Sequence, residues 1–264
     1  MGFLENLKSS LKVAKKSLDY KMKESKLGLI WYIIEPLVIF LAMLFVFQGR
    51  IGRNILYYPL YLLMGLMLLR LFQNIVRESI SLDRRKDLLD KNPKTNYDIM
   101  IRSIILKHLF LHLGEIIVFA AIMLFVTGDL SPLIFYVPLL VIFSIFVYYI
   151  AIIFFISNLY IRDTSYVWQI ISRALWFITP IFYRMNSQPS VALINNINPL
   201  YYFIDLFRDL VVYHSIPETK IIAGVLIITF GTLIIGKIMY EKSEQNIHNL
   251  IKKINEKVKS NPSS

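Results

Sequence analysis

Six apolar segments, each of a length that can cross a bilayer, occupy most of this 264-residue chain, and its cationic residues gather on one side of them. The segments run over residues 30–47, 55–75, 108–126, 133–156, 167–183 and 221–239, against roughly 20 residues needed to span hydrocarbon. No water is present there to satisfy backbone groups, so each segment is expected to be a helix. The fold class that follows is an all-α integral membrane protein with six transmembrane helices.

Lysine and arginine set the orientation, because cytoplasmic loops carry the excess of both. Residues 8–26, the loop 77–107, the turn at Arg162 and the tail from Lys237 onward hold 22 of the 29. Both termini are therefore expected in the cytoplasm, as an even number of crossings allows. The opposite side keeps only Arg50, Arg53, Arg184, Arg208 and Lys220, while Arg70 and Arg173 fall inside segments. The net charge of +11 flanks membrane spans, where it meets anionic headgroups. With no compact basic domain, no nucleic-acid partner is expected. The chain has no cysteine, which removes disulfides, thiol chemistry and thiolate metal sites together. Neither a cleavable signal peptide nor the internal repeat of many secondary transporters is evident.

Three stretches outside the segments have a pattern of their own. Leu4, Leu7, Leu11, Ala14, Leu18 and Met22 recur at steps of three and four with lysines around them. Residues 1–29 are thus expected to lie in the membrane interface as an amphipathic helix, with packing on a soluble partner as the alternative. The loop 76–100 surrounds Leu88 and Leu89 with charge, Arg84 and Arg85 included, ahead of Pro93. That predicts a short helix stopped before the proline. The loop is too small for a core of its own, so the leucine pair points to a docking surface for a cytoplasmic partner. The external segment 184–220 places Leu200, Phe203, Ile204, Phe207, Leu210 and Val211 on one helical stripe after Asn198-Pro199. Short amphipathic helices resting on, or dipping into, the outer leaflet are expected there, where an exporter would have its exit gate.

Few residues carry chemistry. Gly231 to Ile238 imitates a phosphate-binding loop, but Ile238 replaces the magnesium-holding Ser or Thr and the run closes an apolar segment; such a loop needs a preceding strand and an aqueous site. No ATP is expected on this chain. His108, His112 and Glu115 share a helical face, a spacing that can grip a metal but that serves equally for contacts with headgroups or neighbouring helices; no metal is assigned. Glu35, Arg70 and Arg173 lie within segments, where each charge costs about 2.5–3.5 kcal/mol on insertion scales. Two readings stand side by side: an ion pair of Glu35 with one or both arginines, or independent snorkelling of the arginines to the interface. Aromatic residues, among them Trp31, Tyr32, Phe40, Trp168, Trp176, Phe177 and Tyr183, crowd the first and fifth segments. Belts explain those at the ends; packing and a sugar-stacking surface both suit the deeper ones.

Tyr20-Lys21-Met22-Lys23-Glu24-Ser25-Lys26-Leu27-Gly28-Leu29-Ile30-Trp31 with Pro36-Leu37, then Arg162-Asp163, Thr179-Pro180-Ile181-Phe182-Tyr183, Asn198-Pro199 and Arg208 occur in one order along the chain. In that order and spacing the sequence resembles the membrane subunit of ATP-binding-cassette polysaccharide exporters, which move O-antigen, capsule or teichoic acid chains. The similarity covers essentially the whole chain. Glu35 departs from the pattern, since an uncharged residue is expected there.

The resemblance implies a single ABC-2 type transmembrane domain over 1–264, paired with a second copy of itself and with two separate ATPase subunits that bind the ATP and magnesium. It makes Arg84, Arg85, Leu88 and Leu89 the candidates for coupling to the ATPase, with Arg162 and Asp163 as a smaller contact. It makes Tyr32, Phe40, Trp176, Phe177 and Tyr183 the candidate channel contacts of a lipid-linked polysaccharide, O-antigen first, in the cytoplasmic (inner) membrane. Export of teichoic acid, capsule, a drug or another lipid is the alternative within this class. A membrane-embedded transferase is the alternative outside it, for which only His108, His112 and Glu115 come near.

Overall fold

The computed structural model describes residues 3–24, 30–84, 97–184, 193 and 195–260, and every regular element among them is helical. In chain order these are α1 (Phe3–Glu24), α2 (Trp31–Phe47), α3 (Tyr58–Ile80), α4 (Tyr97–Thr127), α5 (Tyr136–Tyr160), α6 (Thr164–Ile178), α7 (Pro199–Phe207) and α8 (Thr219–Ser260). Short 3-10 turns occupy Gly52–Asn54, Ser81–Arg84 and Ser131–Phe135, and a π turn, Arg208–Val212, prolongs α7.

Among the described residues, four helices are long and apolar enough to cross a membrane: Tyr58–Ile80, Tyr97–Thr127, Ser131–Tyr160 and Thr219–Ser243. The first of the six expected segments becomes α2, apolar but 17 residues long. The fifth becomes α6, with 15 residues, or about 22 Å at 1.5 Å per residue. Helix α6 stops short because Thr179 precedes Pro180 and is extended at φ −79°, ψ 132°, the conformation that a following proline imposes. Residues 179–183 of that segment are therefore not helical.

Helix α3 is the hub. Leu60, Leu62, Met64, Met67, Leu68 and Leu69 are buried on all of its faces, and α2, α4, α5, α6 and α7 all pack on it. A helix apolar all round belongs in the middle of a bundle. Between α3, α5 and α7 runs a layer of rings: Phe72 stacks on Phe146 at 5.8 Å, Phe146 on Phe203 at 4.7 Å, and Phe207 meets Tyr136 edge-on at 5.2 Å. Helix α8 lies along α5 and also touches α7. Gly224 and Gly236 permit that approach, since a Cβ would stand 2.2 Å from the Tyr202 ring at the first and 2.8 Å from the Tyr149 ring at the second.

Several expectations change on this scaffold. Helix α4 begins eleven residues before the expected segment 108–126, so Arg102 and Lys107, counted as loop cations, belong to a helix of 31 residues. Helix α1 packs along α4. It turns Ser10 and Ala14 inward, whereas Leu11, on the apolar stripe, remains 50 % exposed. Helix α7, expected to rest on or dip into the outer leaflet, buries Leu200, Tyr201, Phe203, Ile204, Leu206 and Phe207. It reaches Phe143 and Phe146 on α5, about 10–15 Å along that helix from its start at 1.5 Å per residue. Much of the remaining surface is apolar: Phe45 is 90 % and Phe125 91 % exposed, a pattern that asks for lipid or a partner rather than water.

Candidate functional site

The break between α6 and α7 frees a run of carbonyl groups, and buried side chains take them up. Arg208, 1 % exposed, donates from Nη1 to the Pro180 carbonyl at 2.7 Å and from Nη2 to that of Ile181 at 2.9 Å. Its Nε and Nη2 also donate to the Tyr61 carbonyl on α3, at 3.2 and 3.0 Å. The guanidinium carbon sits 3.3 Å from the centre of the Tyr61 ring, a cation–π contact in a desolvated place. The Tyr61 hydroxyl donates to the carbonyls of Tyr183 (2.6 Å) and Pro180 (3.3 Å), and Tyr58 donates to that of Phe182 (3.2 Å). Tyr183 donates back to Phe177 and Ile178 at 3.1 and 3.0 Å. Asn198 donates to Thr179 Oγ1 at 2.9 Å while its own Oδ1 caps the Leu200 amide at 3.0 Å. Irregular backbone at membrane depth persists only where it is satisfied in this way. Gly65 makes the room: a Cβ there would stand 2.7 Å from Arg208 Nη2.

A second polar chain crosses the bundle. Arg70 Nη2 lies 3.2 Å from Glu35 Oε1, and Arg70 Nε 3.9 Å from Glu115 Oε1. Glu115 Oε2 lies 2.6 Å from His112 Nδ1, and His112 Nε2 2.7 Å from the Tyr136 hydroxyl. A carboxylate only accepts, so Nδ1 carries the proton and, in the neutral ring, Nε2 accepts from the tyrosine. Five residues on α2, α3, α4 and α5 are joined. Below it, Lys107 on α4 pairs with Glu78 on α3, whose other oxygen lies 2.8 Å from His108 Nε2. Both groups are buried, and breaking such a pair on one side leaves a stranded charge.

These contacts sort the sequence-derived candidates. Glu35 and Arg70 meet; Arg173, exposed on α6, makes no ion pair among the described residues. His108 and His112 do not converge on one point, since the first turns to Glu78 and the second to Glu115 and Tyr136. Among the described residues no group of three His, Cys, Asp or Glu could hold a metal. Phe40, a candidate channel contact, is 2 % exposed and belongs to the core, so its ring offers no face to a sugar. Phe177 is 74 % exposed; Tyr32, Trp176 and Tyr183 are half-buried, and Arg162 and Asp163 stand exposed at the turn between α5 and α6. Arg85, Leu88 and Leu89, and the side chain of Arg84, lie outside the described residues. The run from Gly231 to Ile238 is continuous helix within α8, with no phosphate-loop geometry.

The partnership of Glu78 with Lys107 escaped sequence reasoning because Lys107 was read as loop; a 3.6-residue apolar period running back from His108 through Ile104 and Ile101 is the signal that extends the helix. Arg208 entered the sequence reading only as an external cation off the apolar stripe and as part of the family pattern, and its burial at 1 % exposure follows from the fold alone.

The model of the ABC-2 type transporter family matches residues 13–212, a span that runs from α1 to the end of the π turn and contains both polar networks. The O-antigen export system permease protein RfbA of Klebsiella pneumoniae is 26 % identical over 255 residues, covering 92 % of this chain and 96 % of its own length. The polysialic acid transport protein KpsM of Escherichia coli is 26 % identical over 230 residues, covering 83 % and 87 %. With its clamp, its polar chain and most of its length inside the matched span, the chain belongs to the ABC-2 type transporter family.

Proposed function

We propose that this chain is the membrane permease subunit of an exporter that carries a lipid-linked polysaccharide, O-antigen in the first instance, across the cytoplasmic membrane. The observation that carries the proposal is the nearly end-to-end match to relatives named for O-antigen export and for polysialic acid transport. Helices α2 and α6 complete six crossings, with both termini in the cytoplasm as the cation count requires. A second copy forms the passage, and two separate ATPase subunits supply ATP and magnesium. Arg84, Arg85, Leu88, Leu89, Arg162 and Asp163 are the candidate residues for coupling to those subunits.

The placement of charge supports which helices line the passage. Glu35 on α2 and Arg173 on α6 are exposed, and a charge facing lipid costs about 2.5–3.5 kcal/mol. Both faces therefore turn toward a water-filled channel between the copies, and Phe177 and Trp176 come with them. Aromatic rings there give a sliding sugar chain apolar faces to stack on, with binding weak and repeated so that the polymer does not stall. ATPase closure moves the cytoplasmic loop, shifts α3 and, through the Arg208 clamp, carries that shift to the outer segment.

Deleting the gene tests the reading. Lipid-linked glycan should accumulate inside the cell while surface glycan disappears, and plasmid-borne wild type should restore it. Unchanged surface glycan would remove the polysaccharide and leave export of a drug or another lipid.

A further inference from the structure

Helix α3 leaves one stripe uncovered. Beyond its first turn only Arg70, Gln73, Asn74 and Arg77 escape full burial, and steps of three and four residues put them on one face. Helix α2 borders that stripe, since Arg70 Nη2 meets Glu35 Oε1 at 3.2 Å. Helix α6 borders it as well, since Gln73 Nε2 donates to the Ser172 carbonyl at 2.7 Å. A polar strip on the hub helix is thus framed by two helices, and each of these shows an outward stripe of its own.

On α2 the stripe is Glu35, Val38, Ala42 and Phe45; on α6 it is Tyr166, Ile170, Arg173 and Phe177, all exposed. Both alternate steps of three and four residues, the spacing of a seam that packs on another helix. Each stripe is apolar or aromatic but for one charge, and the two charges are opposite. They also lie at nearly one level. Asn158, near the end of α5, donates to the Ile80 carbonyl at the end of α3, so α6 starts there and runs back along α3. Gln73 is about 4.5 Å along the axis from Arg70, and Arg173 regains about 1.5 Å of that beyond Ser172. An arginine side chain spans the remainder.

Within one copy the two charges do not meet. Glu35 pairs with Arg70, which Glu115 shares, and the Glu35 side chain is still 63 % exposed. Arg173 makes no ion pair among the described residues, and a charge set in an apolar face at membrane depth calls for a partner. A two-fold axis along the bundle, in front of the polar strip, supplies one: it lays α2 of each copy against α6 of the other, so that the contact is made twice.

We propose that these two stripes are the contact between two copies of this chain, with Glu35 of each copy paired to the partner's Arg173 and the apolar residues of the seams packed around the pair. The inference rests on the reading above that two copies form the passage. It goes beyond that reading by naming the faces that meet and the residue each copy gives the other, and it makes the seams the seal of the resting passage. The polar strips of α3 face each other across the axis, and a passing glycan parts the seams, turning Phe177 from a packing ring into a sugar contact.

The chain has no cysteine, so introduced thiols are its only ones. Glu35→Cys copies with one tag and Arg173→Cys copies with a second are produced together with the ATPase partner. A short bis-methanethiosulfonate bridges them in the membrane, because a Glu–Arg pair holds its Cα atoms beyond the roughly 4.4–6.8 Å of a disulfide. A product carrying both tags should form without ATP. Ile117→Cys in place of Glu35→Cys should give none, since Ile117 is 69 % exposed on α4 and only two residues beyond Glu115, at similar depth on another face. Dissociation of labelled full-length copies on dilution into lipid gives the energetics. Glu35→Gln and Arg173→Gln should each weaken the dimer about a hundredfold, about tenfold for each of two charged hydrogen-bonded pairs, and the combined variant should lose no more than one alone. If Glu35→Gln misfolds through loss of its Arg70 contact, Arg173→Gln still carries the test. No product with both tags, equal product from Ile117→Cys, or an Arg173→Gln dimer as tight as wild type overturns the proposal. So does labelling of Arg173→Cys by a lipid-soluble maleimide as fast as that of Ile117→Cys, which would put lipid against the face. Each of these failures leaves the glycan phenotype of the gene deletion standing, and unchanged surface glycan would leave the contact standing for another cargo.

Discussion

Replacing Arg208 by methionine removes a buried cation but keeps much of its volume, and the structure says which groups suffer. Three carbonyls lose a donor. That of Tyr61 lies inside α3 and keeps its helical amide. That of Pro180 keeps the Tyr61 hydroxyl at 3.3 Å. That of Ile181 is left without a partner among the described residues. One stranded acceptor, at about 1–3 kcal/mol, and one weakened one give a loss of about 3 kcal/mol, since part of the lost bonding is offset by no longer burying the charge. At about 2–4 °C per kcal/mol for a chain of this size, the midpoint of thermal unfolding should fall about 6–12 °C, read by intrinsic fluorescence in detergent. Arg208→Lys should fall between, because one ammonium cannot span carbonyls on two segments. Gly65→Ala should push on the same guanidinium, its Cβ arriving 2.7 Å from Nη2, and the double variant should lose less than the sum of the two. A midpoint for Arg208→Met within about 2 °C of wild type, or strict additivity with Gly65→Ala, would refute the clamp.

Three further outcomes follow from other contacts. Arg70→Met should reduce export and stability more than Glu35→Gln, because Arg70 faces both Glu35 and Glu115 and is 12 % exposed whereas the Glu35 side chain is 63 % exposed; equal losses would mean that Glu115 is not a partner. Gly224→Ala should destabilise by about 1–3 kcal/mol through overpacking against the Tyr202 ring, 2.2 Å from the new Cβ, and Tyr202→Ala should relieve it in a two-by-two melting series. The carboxyl of Asp209, in the outer segment between the spans, is pushed up to about 6 by burial and then by Asp205 and Glu218, against the pull of Arg208. The folded chain therefore takes up this proton near pH 6 and the unfolded chain near the ordinary carboxylate value of 3.8, so stability is greater below that window and is lost as pH rises through about 6. Melting midpoints between pH 7.5 and 5 should show that gain in wild type and not in Asp209→Asn.

Apolar run length and cation bias made the membrane class and the helical fold legible, because both are written locally. Where α4 starts was not, since Lys107 is a loop residue by charge and a core residue only once Glu78 comes to meet it from α3. Phe40 could not be separated from Phe177 by residue type, and only the packing of α2 buries one while α6 leaves the other exposed. Thr179-Pro180 falls inside the fifth segment, expected helical through residue 183, and both the break there and the need for Arg208 to collect the freed carbonyls emerge only in the fold. The Glu35–Arg70 pairing was decided by helix rotation, which spacing within one helix does not reveal.

The most direct test of the account is transport in a defined membrane. The chain is reconstituted with its ATPase in proteoliposomes carrying labelled lipid-linked O-antigen, and the side of the bilayer on which the glycan becomes open to an added glycosidase is followed. ATP-dependent transfer that stops without this chain is the predicted result. ATP hydrolysis with no movement of glycan, under conditions where another lipid is carried, would contradict it.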